Sequence, residues 1–319
     1  EHVGRRVVVR RALTGERGPS GGPALTDVLG VLEALTDETL LVRRDDGDAV
    51  TVDRSRVVAA KQVPPRTPAR PRITAEALQI VCEAGWRAPV REQLGDWLLR
   101  AAGGFTGRAN SVLPVGDPGL PLAAALQRVQ DFYARVHLPV QAEVIIGSGI
   151  AEDLQARGWV AARPEQADTL VQVAALAAGG QRPSGGGGAP HVRLRERLDD
   201  DWLLRYGRSA GNDPGVVSSV LESGDRVIFA QVAEPAIAIG RAVVTQGWLG
   251  VSAVEVEAGQ RRQGFGSAVV DALLAWGSDC GARSAYVQVL ADNAAALALY
   301  ARRGFRTHHG YRYLRPPST

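Results

Sequence analysis

The chain reads as an α/β protein, a mixed sheet flanked by helices and preceded by a small β-barrel. Three observations predict this. Residues 1–62 break into short strands separated by turns. Residues from 72 onward alternate between strand-like and helix-like stretches, and a proline-rich run divides the two regimes.

A length of 319 residues exceeds one ordinary compact core, so two or three domains are expected. Hydrophobic content of 45% and charged content of 22% match ordinary soluble globular protein. No apolar run approaches the roughly 20 residues that a membrane helix needs. The start, Glu1-His2-Val3-Gly4-Arg5-Arg6, lacks the apolar core of a signal peptide, so a cytoplasmic protein with no membrane partner is expected.

The strands expected in 1–62 are Arg6–Arg11, Val28–Leu32, Leu40–Arg43, Ala49–Val52 and Arg56–Ala60. Asp45-Asp46-Gly47-Asp48 between two of them signals a hairpin. Five short strands in this span suggest a small closed barrel of the SH3-like kind. Residues 63–71, rich in proline, form a stiff linker.

Residues 72–178 make a second domain. Its helices are expected at Thr74–Ala84, Leu122–Val136 and Ala151–Arg157, and its strands at Trp97–Ala101, Ala109–Val115, Val140–Ile146 and Thr169–Ala174. Residues 179–190, with four consecutive glycines, read as a flexible loop. Residues 191–319 alternate again, through strands Val192–Leu198, Val227–Val232, Ile237–Thr245 and Trp248–Val256. Helix Ser267–Asp279, strand Ser284–Leu290, helix Ala294–Arg302 and strand Tyr311–Leu314 close the chain.

A shift of 146 residues lays 121–136 on 267–282, Val140–Val144 on Tyr286–Leu290 and Gly158-Trp159 on Gly304-Phe305. Either an internal repeat or a chance likeness of two α/β units explains it. If it is a repeat, the first copy has Val115-Gly116-Asp117-Pro118-Gly119-Leu120 where the second has Arg261-Arg262-Gln263-Gly264-Phe265-Gly266. Gly147 then stands for Asn293 and Leu154 for Tyr300, so only the second copy is expected to bind a cofactor.

The chemistry concentrates in that second copy. Arg261–Gly266 spells R-x-x-G-x-G between a strand and a helix. Glycines admit a ligand close to the backbone, and a helix N-terminus offers unpaired N–H groups to a pyrophosphate. The rival reading is an ordinary glycine-rich turn. Charge points the same way as the motif. Residues 1–62 carry ten basic against ten acidic residues, residues 63–178 eleven against eleven, and residues 179–319 sixteen against thirteen. The whole excess of +3 therefore lies with the turn, which argues for a small anionic ligand and against a nucleic-acid face. Cys82 and Cys280, the only cysteines, are too few for a disulfide framework or a zinc site, so no metal is expected.

With the run Asn293-x6-Tyr300-x3-Gly304-Phe305 added, residues of about 190–315 resemble the GNAT superfamily of acyl-CoA-dependent N-acyltransferases. The barrel and the Gly104–Asn110 segment extend the likeness to a GNAT subfamily of high-GC Gram-positive bacteria. Its members carry a small barrel and a degenerate GNAT-like region ahead of the transferase domain. The resemblance implies a GNAT-fold mixed sheet and acetyl-CoA as co-substrate. It implies that Val254 and Val256 offer backbone to the pantetheine arm and that Arg261, Arg262, Gln263, Gly264, Phe265 and Gly266 hold the pyrophosphate. It further implies that Asn293 contacts the arm and that Tyr300 lies near the sulfur as general acid. Asn293 as a helix cap and Tyr300 as a packed aromatic are the structural alternatives.

Aminolysis of a thioester requires a neutral amine, a donor to the oxyanion and a proton for the thiolate. Glu255 and Glu257 share a strand face and are base candidates, or else a solvated surface pair. His308 and His309 are further candidates, or else part of an exposed loop. Arg108 and Asn110 either line a substrate groove or satisfy backbone groups at a turn. The function expected is an N-acetyltransferase acting directly on a primary amine of a small molecule or a protein. A non-catalytic acyl-CoA-binding scaffold is the alternative, and a nucleic-acid module on the barrel is a third class.

Overall fold

The computed structural model describes residues 2–17, 22–44, 48–63, 73–176 and 190–317. The chain divides into two compact units, Glu1–Thr67 and Pro68–Thr319.

The first unit holds five antiparallel strands: β1 (Arg6–Arg17), β2 (Pro23–Leu35), β3 (Thr39–Arg44), β4 (Ala49–Asp53) and β5 (Val57–Gln62). They lie in the order β4-β3-β2-β1-β5. Alternation puts Val7, Val9, Val28, Leu32, Leu40, Val42 and Val52 on one buried face, the expected period of two. A 3-10 turn, Arg54–Arg56, carries the chain from β4 to β5, capped by the Asp53 carboxylate on the Ser55 N–H. Among the described residues no ladder joins β4 to β5, so hydrogen bonding links the five strands of this small β-rich unit in an open order. The hairpin residues 45–47 and the linker residues 64–72 lie outside the described residues, although β3 and β4 do pair, from Thr39–Asp53 to Arg43–Ala49.

The second unit runs α1 (Ala75–Ala84), β6 (Val90–Leu94), β7 (Trp97–Ala101), α2 (Leu122–Arg135), β8 (Ala142–Ile145), α3 (Gly149–Ala156), β9 (Val160–Ala161) and β10 (Thr169–Ala175). It continues through β11 (Arg193–Arg195), α4 (Asp200–Arg205), α5 (Pro214–Leu221), β12 (Arg226–Val232), β13 (Ala238–Thr245) and β14 (Trp248–Val256). It ends with α6 (Phe265–Asp279), β15 (Ser284–Leu290), α7 (Ala294–Ala301) and β16 (Arg306–Arg315). One strand is absent. The stretch 109–115, expected to be extended, makes only isolated bridges at Val112 and Leu113.

Residues 72–178 and 191–319 do not stand apart, because they share one sheet, β11-β12-β13-β14-β15-β10-β16-β8. The sharing is reciprocal. Strand β10, from the earlier half, lies between β15 and β16 of the later half, paired from Thr169–Leu290 to Ala175–Ser284. In return the end of β16 pairs with β8 and with β9, and Leu314 enters the core formed by α2, α3 and β8. Each half completes its sheet with the other's last strand, so neither half buries its apolar surface alone.

Helices α6 and α7 cover one face of the sheet, packing Val269, Val270, Leu273 and Tyr300 on Ala242, Leu249, Val251 and Val287. A Cβ at Gly277 would lie 2.5 Å from Leu249, so glycine there lets the C-terminal end of α6 lie close against β14. Helix α1 covers the middle of the other face, and α4, α5 and the segment around Trp86 and Phe105 cover the rest. Among the described residues no helix is long and apolar enough to cross a membrane.

Candidate active site

Strands β14 and β15 run parallel and pair from Trp248–Ser284 to Val251–Val287, where the ladder stops. Beyond it each strand stays with its outer neighbour, β14 with β13 as far as Val256 and β15 with β10 as far as Leu290. A bulge explains the parting. Between the pairs Arg241–Ser252 and Ile239–Glu255, β14 has one residue more than β13, and Ala253 takes φ of 52°. The inner edge of β14 past Val251 is therefore left with backbone groups that no strand satisfies, a ready partner for an extended amide-bearing chain.

The bulge also sets which side chains face which way. Val254 and Val256 pack toward α6, whereas Ala253 and Glu255 face the side of α4. The expected roles of Val254 and Val256 need only their backbone, which lies on the open edge.

The turn after β14 leaves the start of α6 without a side-chain cap. Arg262 has φ of 64° and Gly264 φ of 88°, and no side chain caps α6. The first N–H groups of α6 thus have no capping partner, and two left-handed residues turn the preceding backbone toward the same space. Gly266 lies in the first turn of α6, where an added Cβ would meet Val256 at 3.4 Å. Phe265 packs its ring on the core and anchors the helix start. Arg262 and Gln263 are exposed, with the Gln263 amide bonded to Gln260, and the Arg261 Nε donates to the Val256 carbonyl at 3.3 Å. This donor set fits a pyrophosphate.

Asn293 caps α7, its side-chain oxygen accepting from the Ala296 N–H at 3.1 Å. Tyr300 is 6% exposed and packs on Phe305 with ring centroids 5.5 Å apart. Burial pushes its phenol up to about 12, opposed by the nearby Arg303. The hydroxyl is protonated at neutral pH, as an ordinary phenol is, which is the state a proton donor needs.

The base candidates separate. Glu255 sits on β14 itself, with one oxygen accepting from the Gly207 N–H at 3.0 Å. Glu257, just past the strand, pairs with Arg205 at 3.7 Å. His308 and His309 are not in an exposed loop; β16 begins at Arg306 and includes both. His308 Nε2 meets the Ile73 carbonyl at 3.0 Å, and the two Nδ1 atoms are 2.9 Å apart. Burial, then the neighbouring His308, lowers His309 to about 4. Strands β15 and β10 stand between β14 and these imidazoles, so the pair is remote from the opening.

Asn110 is a turn residue. Its oxygen accepts from the Ala102 and Gly104 N–H groups, and its amide donates to the Phe105 and Thr106 carbonyls. Those four bonds are why 102–111 is a loop. Arg108, carried on that loop, reaches the sheet and donates to Gln288 on β15. Burial raises both Cys82 and Cys280, so neither thiol is a thiolate at neutral pH. Sequence reasoning missed Trp86, Tyr206 and Arg241, which are buried on the α4 side of the sheet, with Arg241 reaching Ser252 on β14. Only a non-local contact map would have found them.

A parallel pair parted by a bulge, with an uncapped helix N-terminus beyond it, fits the GNAT fold that the sequence resembles. The comparisons agree. A family model described as "Probable histone acetyltransferase Rv0428c C-terminal" matches residues 75–314, and one described as "Rv0428c N-terminal Sm-like domain" matches residues 1–61. The chain belongs to this family of Rv0428c-like acetyltransferases. It is 31% identical over 334 residues to the "Probable histone acetyltransferase Rv0428c" of Mycobacterium tuberculosis, covering 98% of this chain and 95% of that protein. It is 26% identical over 253 residues to the "Uncharacterized N-acetyltransferase YobR" of Bacillus subtilis, covering 75% and 98%. A solved GCN5-related N-acetyltransferase from Kribbella flavida superposes with a TM-score of 0.54 at 14% identity, covering 77% of this chain and 96% of that one. The first unit is thus similar to Sm-like domains, where the sequence suggested an SH3-like barrel, and the small barrel-like character is common to both.

Proposed function

We propose that this acetyltransferase uses acetyl-CoA to acetylate a primary amine directly, in a ternary complex. The observation that carries the reading is the opening at Val251–Val287 with the uncapped start of α6 just past it. In this reading the turn 261–266 binds the pyrophosphate, the free edge of β14 at Val254 and Val256 pairs with the pantetheine amides, and Asn293 adds a contact from the α7 cap. Acetyl-CoA supplies the activated acetyl thioester. A β14 N–H past Val251 steadies the carbonyl oxygen as charge develops there. Glu255, on the face of α4, receives the ammonium proton directly or through water, which leaves the amine free to attack. Tyr300, protonated at neutral pH, gives a proton to the departing thiolate. No covalent enzyme intermediate is required.

The relative named for histone acetylation makes a lysine side chain one acceptor class to test, beside free amino acids, polyamines and peptide N-termini. Thiol release from acetyl-CoA across such a panel tests the reading. Transfer to at least one amine is expected, with Tyr300→Phe lowering kcat far more than it alters acetyl-CoA binding. Binding of acetyl-CoA with no release by any amine would instead favour a non-catalytic acyl-CoA-binding protein, the alternative that shares every cofactor contact.

A further inference from the structure

The face of the opening opposite α6 holds more positive charge than the fold neutralises. Arg241, on β13, is 1% exposed and donates to the Leu221 and Ser223 carbonyls and, at 3.5 Å, to the Ser252 hydroxyl. Arg108 is half-buried, with its guanidinium 4.3 Å from the Trp86 ring centroid; that of Arg241 is 5.0 Å from the same ring. Neither arginine has a carboxylate within ion-pair distance among the described residues. The nearest buried acid, Glu143, is taken by Arg100 at 3.1 Å and by Gln79 at 2.9 Å. Glu255 is bonded to Gly207. Burying cations without a counter-charge is costly, so this surplus calls for an anion from outside the chain.

The donors left over on Arg108 say what kind. Its Nη1 is bonded to the Gln288 oxygen at 2.5 Å, whereas Nε and Nη2 have no hydrogen-bond partner among the described residues. Those two N–H groups lie side by side, the pair that grips a planar carboxylate with two parallel bonds.

Position ties this donor pair to the reaction. Ser252 and Gln288 are the first residues beyond the last pair, Val251–Val287, so Arg241 and Arg108 reach the two sides of the parting strands. Both are held on Trp86, which comes from the earlier half of the unit. A carboxylate on Arg108 would stand one side chain from the place where the amine attacks. That closeness suits a molecule in which amine and carboxylate are a few bonds apart.

We propose that the acceptor is a small amino acid or close analogue whose carboxylate is bound by Arg108. This rests on the transferase reading above and deepens it by naming the substrate class. Gln288 and the face of Trp86 hold the guanidinium in place. Arg241 contributes charge, and Glu255 meets the amine from β14.

The test uses the full chain with acetyl-CoA and matched amines: free amino acids, the same amino acids as amides, the corresponding decarboxylated amines, and peptides with distant C-termini. The free amino acids are expected to be preferred in kcat/KM by about ten- to a hundredfold, the worth of one charge-assisted pair. Arg108→Ala should raise KM for them and erase the preference while leaving KM for acetyl-CoA unchanged. Arg108→Lys, which keeps the charge but loses the paired donors, should recover only part of it and guards against a folding defect in the alanine variant. Equal rates on acid, amide and decarboxylated amine would overturn the proposal while leaving the transferase intact. So would a preference for the peptides with distant C-termini. If no amine releases thiol, the transferase reading fails, and calorimetry with N-acetylglycine and N-acetylalanine decides the site alone. Arg108-dependent binding of those acids, absent with acetamide, would support the carboxylate site, and no binding would sink it.

Discussion

The segments 122–161 and 265–315 carry the same succession of helix, strand, helix and strand, yet their entrances differ. Before α6 the turn holds Arg262 and Gly264 in left-handed conformations and leaves the helix start uncapped. Before α2 the chain has Gly116 and Gly119 in the same conformation, at φ of 81° and 71°. There, however, the Asp117 N–H donates to Asp96, the Gly119 N–H donates to Asp117, and Pro121 occupies the cap. Two carboxylates already fill the place that an anion would take, and they would repel a pyrophosphate. The likeness persists at the far end. Trp159 donates to the Leu154 carbonyl as Phe305 does to that of Tyr300, but a leucine replaces the phenol. The same backbone plan therefore leaves one entrance open and fills the other with carboxylates, according to a handful of side chains.

The largest expected effect tests the phenol. Tyr300→Phe should lower kcat by about a hundred- to ten-thousandfold, the range for loss of a general acid, with acetyl-CoA affinity nearly unchanged. Its counterpart is Leu154→Ala, at a 1% exposed position in the other core. That change should cost about 2–5 kcal/mol in denaturant unfolding and leave kcat of the folded enzyme alone. The turns give the next contrast. Gly264→Val puts a branched residue at φ of 88°, where nothing crowds a Cβ, so strain alone distorts the cradle. Its acetyl-CoA Kd should rise by about tenfold or more. Gly119→Val, at φ of 71°, should cost similar stability and leave that Kd unchanged.

The last effect concerns pH and leaves both entrances untouched. His309 is held near 4 against an ordinary 6.5, so its neutral form is favoured by folding. Its contribution is fully present above about pH 6.5 and is lost as pH falls from there toward 4. Chemical denaturation across that window should show the decline, and His309→Leu should flatten it.

How much of this was legible depended on range. The turn, Asn293 and Tyr300 lie within about forty consecutive residues, where glycine, helix start and spacing leave a local trace. The reciprocal exchange of β10 and β16 leaves none, because strand pairing across more than a hundred residues has no short-range signature. The stretch 109–115 looked extended by composition, but the Gln141 amide and the Arg100 guanidinium take the Asn110 and Ser111 carbonyls that a ladder would use. His308 and His309 looked like loop residues because the polar start of β16 hides a strand that is buried only further along. Arg108 was visible as a polar residue in an apolar setting, and only the fold puts it beside Gln288.

The central claim is that one of the two entrances binds the cofactor. Isothermal titration of acetyl-CoA into the full chain, the Gly264→Val variant and the Gly119→Val variant tests it most directly. One site per chain is predicted, weakened by the change at Gly264 and untouched by that at Gly119. Two sites per chain, or loss of binding only in the Gly119 variant, would contradict it.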